Sequence, residues 1–465
     1  MRADPSPSEQ LSCSPSRQRD DVARSSGAPA HTPEEIPEEG EPREAHASPS
    51  LRDAFLRVRR ATEELAAPLS PEDCVVQSMA DASPTKWHLA HTSWFFETFV
   101  LAGAPGERPP RADYAHVFNS YYEGVGPRIA RDRRGVLSRP SLGEVRAYRR
   151  EIDERVVAAL DEGRLSPERL TLVELGLNHE EQHQELVLTD IKHGLHASPL
   201  RPSYRAAEPG GHEDTASVAA LTWAQFDEHI AWIGSSRGFS FDNERPRHRV
   251  LLTGFQLATR LVTAGEYLAF MADGGYRRPE LWLSDGWAAV RACDWRAPLY
   301  WDQPDHGDGG WLIYTLRGAR PVDPREPVCH VSHYEADAYA RWAGARLPTE
   351  FEWEVAAAHR ATDGALLESD ALHPRPAPDR AAPGPAQMFG DCWEWTQSAY
   401  GPYPGFCPEE GTVGEYNGKF MSGQVVLRGG SCATPARHIR ATYRNFFPPA
   451  ARWQFSGVRL ARDAR

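Results

Sequence analysis

Through Leu51, Phe55, Val58, Thr62 and Leu65, and again from Trp87 to Leu101, buriable positions return every three or four residues, the spacing of a helix with one covered stripe. Arg146 to Leu160 and Leu170 to Leu188 read the same way, and Ser166-Pro167-Glu168 supplies a cap and first turn. Four such stripes can cover one another, so residues 50–196 are expected to form a four-helix bundle. The period then stops. Ser198-Pro199-Leu200-Arg201-Pro202 and Pro209-Gly210-Gly211 carry turn residues only, which predicts a linker over 197–220. From 221 to 465 the texture is short β-like runs, Ile230 to Ile233 and Arg249 to Leu257, with one clear helix from Tyr334 to Ala345. That predicts an α+β domain with long loops, and no fixed-period repeat points to a solenoid or propeller. Residues 1–49, rich in Pro, Ser, Glu and Arg, hold too little apolar surface to offset ordering and are expected to be a disordered tail.

Charge narrows the partners. With 52 Lys and Arg against 65 Asp and Glu, the 465-residue chain lacks the basic field that draws proteins to phosphate backbones, so no nucleic-acid partner is expected. No run approaches the ~20 apolar residues of a membrane-spanning helix, and the N-terminus has no apolar secretory core, so no membrane partner is expected either. Seven scattered cysteines, an odd number without a Cys-x-x-Cys pair, fit reduced thiols and a cytoplasmic location. Most of the fourteen tryptophans follow residue 220, in short motifs such as Trp393-Glu394-Trp395.

The sharpest chemical signal is His179-Glu180-Glu181-Gln182-His183. Residues four apart stack on one helix face, so two imidazoles can meet one metal there. His91, on a separate helix, is a third candidate, because bundles build metal centres from facing helices. The same five residues match the zinc-protease pattern His-Glu-x-x-His, in which the Glu is a general base. The extended protease signature is missing, with Leu186 and Thr189 at its places, and Glu208 and Glu213 stand in the linker, a poor location for a further ligand. On these residues alone, zinc-dependent hydrolase or transferase and iron enzyme both stay open. A non-catalytic binding module with a purely structural metal is disfavoured, since structural sites are normally closed by four ligands and three are in hand.

Two longer patterns decide the expectation. His88-Leu89-Ala90-His91-Thr92-Ser93-Trp94-Phe95-Phe96-Glu97 with Asn178-His179-Glu180-Glu181-Gln182-His183-Gln184-Glu185 resembles the DinB-like helical domain of ergothioneine-biosynthesis sulfoxide synthases. Gly238 to His248, Arg346-Leu347-Pro348-Thr349-Glu350-Phe351-Glu352-Trp353-Glu354, Gly390 to Thr396 and Leu427-Arg428-Gly429-Gly430-Ser431 resemble, in order, a formylglycine-generating-enzyme-like domain, a C-type-lectin-like fold. Trp353, Trp395 and Arg428 in these motifs are expected to set the fold only. Cys432 has no cysteine partner after it, so formylglycine generation itself is not expected, and ovothiol-branch members usually carry a fused methyltransferase, which favours the ergothioneine branch.

The resemblance implies Fe(II) as cofactor, held by His91, His179 and His183. The implied reaction joins cysteine to C2 of the imidazole of hercynine (N-alpha-trimethylhistidine), using dioxygen and leaving the sulfur as a sulfoxide. Gamma-glutamylcysteine or a selenium donor are the alternatives. Tyr443-Arg444-Asn445-Phe446-Phe447-Pro448 is where the family grips the betaine, with Asn445, Phe446 and Phe447 as candidates and aromatic faces suited to a quaternary ammonium. Gln182 is placed to reach the substrate imidazole. Arg128 and Arg131, in a local basic cluster, are candidates for the donor's carboxylate, whereas Arg133 and Arg134 are expected to be solvated. For the proton donor, Tyr121 and Tyr122 resemble the cysteine-using type and are preferred over Tyr400 and Tyr403.

Overall fold

The computed structural model describes residues 50–206, 220–303, 310–358, 360–362, 364–378, 384–411, 414 and 417–464. The tail expected over 1–49 lies outside them, as do residues 207–219 of the expected linker, Glu208 and Glu213 included.

Helices come first. Helix α1 (Leu51–Ala66) starts where the Ser50 hydroxyl accepts the Asp53 N–H. Helix α2 (Thr85–Phe95) runs directly into a π-helical segment, Phe96–Leu101. A short α3 (Ala112–Phe118) follows, then α4 (Leu142–Asp161), opened by a Ser141–Glu144 capping box, and α5 (Pro167–Ala197), opened by Ser166 with Pro167 in the first turn. The four long helices are those the apolar period predicts. Helix α3 has too few turns to show a period.

Helix α5 is unusual because it is buried on nearly all sides from Gly176 to Leu195, yet that stretch includes Asn178, His179, Glu180, Glu181, His183, Gln184, Glu185, Asp190 and Lys192. Polar side chains in such a place need partners. Glu180 takes hydrogen bonds from Arg59 Nη1 (2.7 Å) and Thr62 Oγ1 (2.7 Å), and from Arg149 Nη2. This buried ion group ties α5 to α1 and α4.

Every strand among the described residues comes after 220. Strands β1 (Trp223–Phe226), β4 (Phe255–Ala258) and β12 (Ala461–Asp463) form one sheet with β4 central, and β2 (His229–Ile233) pairs with β3 (His248–Leu252). The single run expected from Arg249 to Leu257 is therefore two strands in two sheets, divided at Thr253-Gly254. Strands β5 (Trp301–Asp302), β6 (Leu312–Thr315) and β7 (Gly318–Pro321) form a third sheet. The fourth has the order β10 (Asn445–Phe447), β9 (Val425–Arg428), β8 (Trp393–Ala399), β11 (Ser456–Gly457).

Helices α6 (Ala264–Ala272), α7 (Ser284–Cys293), α8 (His333–Trp342) and α9 (Glu350–Ala357) pack among these sheets. Only α8 shows as a periodic run. Capping boxes at Thr263–Glu266 and Thr349–Glu352 are the sequence signals that mark α6 and α9. Trp353 Nε1 donates to Glu394 (2.8 Å), Trp395 Nε1 donates to Val331 O (2.9 Å), and Arg428 donates to Glu354 (2.6 Å), all inside the core. No helix among the described residues is long and apolar enough to cross a membrane.

Candidate metal centre and cavity

Helices α2 and α5 cross so that His91 faces His179 and His183. One ligand atom from each of the three lies within 4.8 Å of the others, and His91 Nε2 is 3.1 Å from His179 Nε2. All three rings are buried, which pushes each imidazole toward its neutral form: His179 falls to about 3, and His91 and His183 fall well below the ordinary histidine range. Neutral imidazoles are what a metal binds. His91 Nδ1 is 2.6 Å from Phe118 O, which fixes the proton there and turns Nε2 toward the other two rings. Stacking of Trp87 on His91 (centroids 4.5 Å apart) holds the plane. The donor set thus fits one metal ion with further coordination positions left for ligands.

The His-Glu-x-x-His reading fails at its glutamate. Glu180 faces away from the three rings, and the two guanidiniums hold its carboxyl down to about 2 against the opposing effect of burial. A carboxylate so engaged cannot serve as general base toward a metal-bound molecule.

His179 and His183 lie at the wall of a cavity of about 630 Å³ between the helices and the fourth sheet. That volume is within the roughly 300–1,000 Å³ of ordinary ligand sites. From the helical side come Trp87, Ser120, Tyr121, Arg131, Arg134, Gln182 and Glu185. Trp393, Phe420, Tyr443, Asn445, Phe446 and Phe447 close it from the other. Glu185 is buried and accepts from Trp393 Nε1 (2.7 Å), Ser431 Oγ (2.6 Å) and Thr434 Oγ1 (2.8 Å), while burial raises its carboxyl.

Comparison with known proteins accounts for both halves. Residues 54–187 match the DinB superfamily, and residues 231–375 and 368–464 match the sulfatase-modifying factor enzyme 1-like domain. A hercynine oxygenase from Mycolicibacterium thermoresistibile is 36% identical over 412 residues, covering 82% of this chain and 87% of that protein. The chain belongs to the hercynine oxygenase family. Another hercynine oxygenase, from Mycobacterium tuberculosis, is 34% identical over 82% of this chain and 91% of its own length. Ergothioneine biosynthesis protein 1 of Schizosaccharomyces pombe is 29% identical over 48% of this chain and 28% of its own length.

Within this hercynine oxygenase family member, the residues singled out from the sequence fall into two groups. Tyr121, Arg131, Gln182, Asn445, Phe446 and Phe447 line the cavity with His179 and His183. Tyr122 is fully buried behind Tyr121, its backbone N–H bonded to Asn119 (3.0 Å). Tyr400 lies behind Phe446, stacked at 4.0 Å, and its hydroxyl accepts from Asn243 Nδ2 (2.9 Å). Tyr403 is buried against Arg444, Arg428 and Glu350. Arg128 is paired with Glu123 (3.0 Å) outside the cavity. Arg134, expected to be solvated, is 4% exposed, sits over the Trp87 ring at 3.4 Å and donates to Ser83 Oγ (2.8 Å). Its spacing of three from Arg131 is the signal that marks it. Tyr443, Trp393 and Phe420 also line the cavity; a tyrosine directly before the Arg444–Phe447 run is legible in the sequence, but an aromatic contribution from residue 420 is not.

Proposed function

We propose that this protein is an Fe(II)- and dioxygen-dependent sulfoxide synthase of ergothioneine biosynthesis, joining cysteine to C2 of the hercynine imidazole. The observation that carries the reading is the convergence of three neutral imidazoles, two of them on the wall of a cavity that offers aromatic faces on one side and guanidiniums on the other. In the balanced reaction one C–S bond forms, the C2–H and S–H bonds break, one oxygen atom ends on sulfur and the other leaves as water with the two hydrogens. Fe(II) held by His91, His179 and His183 supplies the redox chemistry that brings dioxygen, thiol and imidazole into reaction.

The chain's own residues do the placing. Phe446, Phe447, Tyr443 and Trp393 present aromatic faces to the trimethylammonium group. Gln182, on the cavity wall, has its Nε2 oriented by a hydrogen bond to Tyr443 OH (2.6 Å), which directs its amide toward the substrate imidazole. Arg131 and Arg134 receive the donor's carboxylate, and Arg134 is the stronger electrostatic partner because it is shielded from water. Tyr121 is the one of the four tyrosine candidates on the cavity wall and holds the proton to be delivered.

The test is aerobic turnover of the Fe(II)-loaded protein with hercynine and cysteine, following oxygen uptake and product mass. A hercynyl-cysteine sulfoxide that vanishes with His179→Ala is expected. Oxygen uptake with gamma-glutamylcysteine or a selenium donor in place of cysteine would overturn the donor alone; zinc retention without oxygen uptake would overturn the reading.

A further inference from the structure

His88 lies one turn before His91 on α2 and is 2% exposed, yet it is not among the three converging ligands. Its Nδ1 is 2.8 Å from His183 Nδ1, and its Nε2 is 3.1 Å from Asp190 Oδ2. The same Asp190 oxygen accepts the Ser83 N–H at 2.8 Å. Asp190 stands seven residues after His183 on α5, two turns along the same face.

Proton positions follow from these contacts. With Nδ1 engaged by His88, His183 has Nε2 left for a metal, and a neutral imidazole bound through Nε2 carries its proton on Nδ1. That N–H points at His88 Nδ1, which must accept it. His88, with one proton of its own, then carries it on Nε2 and donates it to the carboxylate. Every proton has one place, and all the bonds run in one direction, from His183 through His88 to Asp190. His91 has the shorter version of this arrangement, ending on the Phe118 carbonyl.

We infer that His88 and Asp190 are positioning residues for the metal centre, a two-step relay that fixes the tautomer and plane of His183 and raises its strength as a ligand. The inference rests on the three-histidine metal reading above but not on the oxygen chemistry. Hydrogen-bond partners of this kind are worth about ten- to a hundred-fold in metal affinity.

The test uses Co(II) alone as probe on the full chain, with affinity from competition against a chelator and ligand geometry from the visible absorption bands. His88→Phe keeps an aromatic ring of similar shape but removes the acceptor, and should weaken Co(II) by about ten- to a hundred-fold and shift the bands, beyond whatever melting temperature the metal-free protein loses when Asp190 is left without His88. His88→Asn, whose amide oxygen can accept the His183 N–H, should recover most of the loss. Asp190→Asn leaves the His88 ring in place and should weaken Co(II) several-fold, a reading independent of how well phenylalanine packs. Unchanged affinity and bands in His88→Phe would overturn the relay, as would His88→Asn binding no better than His88→Phe. A parent that binds no Co(II) would instead overturn the metal reading, and the relay with it.

Discussion

Two side chains at the centre carry opposite predictions. Tyr121 reaches the cavity, so Tyr121→Phe should lower kcat by about 10²–10⁴-fold with metal affinity kept, as measured by oxygen uptake. Tyr403, locked between Arg444 and Glu350, should when changed to Phe lower the melting temperature and leave kcat alone. Glu180 separates two chemistries. If it is the anchor for Arg59 and Arg149, Glu180→Gln removes the buried carboxylate they share, leaving Arg59 with Asp153 and Arg149 with Glu63 as ion-pair partners, and costs about 3–5 kcal/mol of stability in chemical denaturation. Lost turnover at unchanged stability would instead restore it as a general base. The residue types were readable in the chain; the direction in which Glu180 points was not, because its partners are 121 and 31 residues away in sequence.

At the scale of elements, α5 is held close to α2 by Gly176. A Cβ there would stand 2.6 Å from the Phe96 ring and 2.9 Å from Phe95, and Phe95 in turn packs on His179. Gly176→Val should therefore overpack the crossing by about 1–3 kcal/mol and disturb the metal site as well, seen as a parallel loss of melting temperature and Co(II) affinity. Farther along α5, Lys192 is fully buried, with Nζ 2.6 Å from His330 Nε2, and burial lowers it to about 8. The protonated amine is therefore disfavoured in the folded chain. Below pH 8 that cost is fully present, and it is relieved as pH rises toward the ordinary lysine value of about 10.4. Denaturation midpoints between pH 8 and 10 should rise for the parent relative to Lys192→Met, and parallel curves would show that Lys192 does not titrate there. The long helices were legible because their stripes repeat; α3 was not, having too few turns, α6 and α9 carry only their capping boxes as a signal, and β3 and β4 merged because one Thr-Gly break does not interrupt an apolar run.

Across the whole molecule, α5 joins the helical half to the strand-bearing half. Glu181 pairs with Arg437 (2.9 and 3.0 Å), Gln182 bonds Tyr443, Glu185 gathers Trp393, Ser431 and Thr434, and Lys192 meets His330. Shared burial of this kind predicts a single calorimetric unfolding transition, and two resolved transitions would show that the halves melt apart. The histidines were legible from spacing and the cavity's far wall in part from its motif. Their meeting was not, since nothing local in either segment encodes contacts that span some 250 residues.

The contacts along α5 also bear on how such chains diversify. Positions 181, 182, 185 and 192 act as an address on the helix that carries the metal ligands, read by Arg437, Tyr443, Trp393 and His330. A chain given a foreign C-terminal segment would keep its histidines but lose the matching reader, so exchanging the halves is expected to cost stability unless positions 181, 182, 185 and 192 are exchanged together with the residues that meet them.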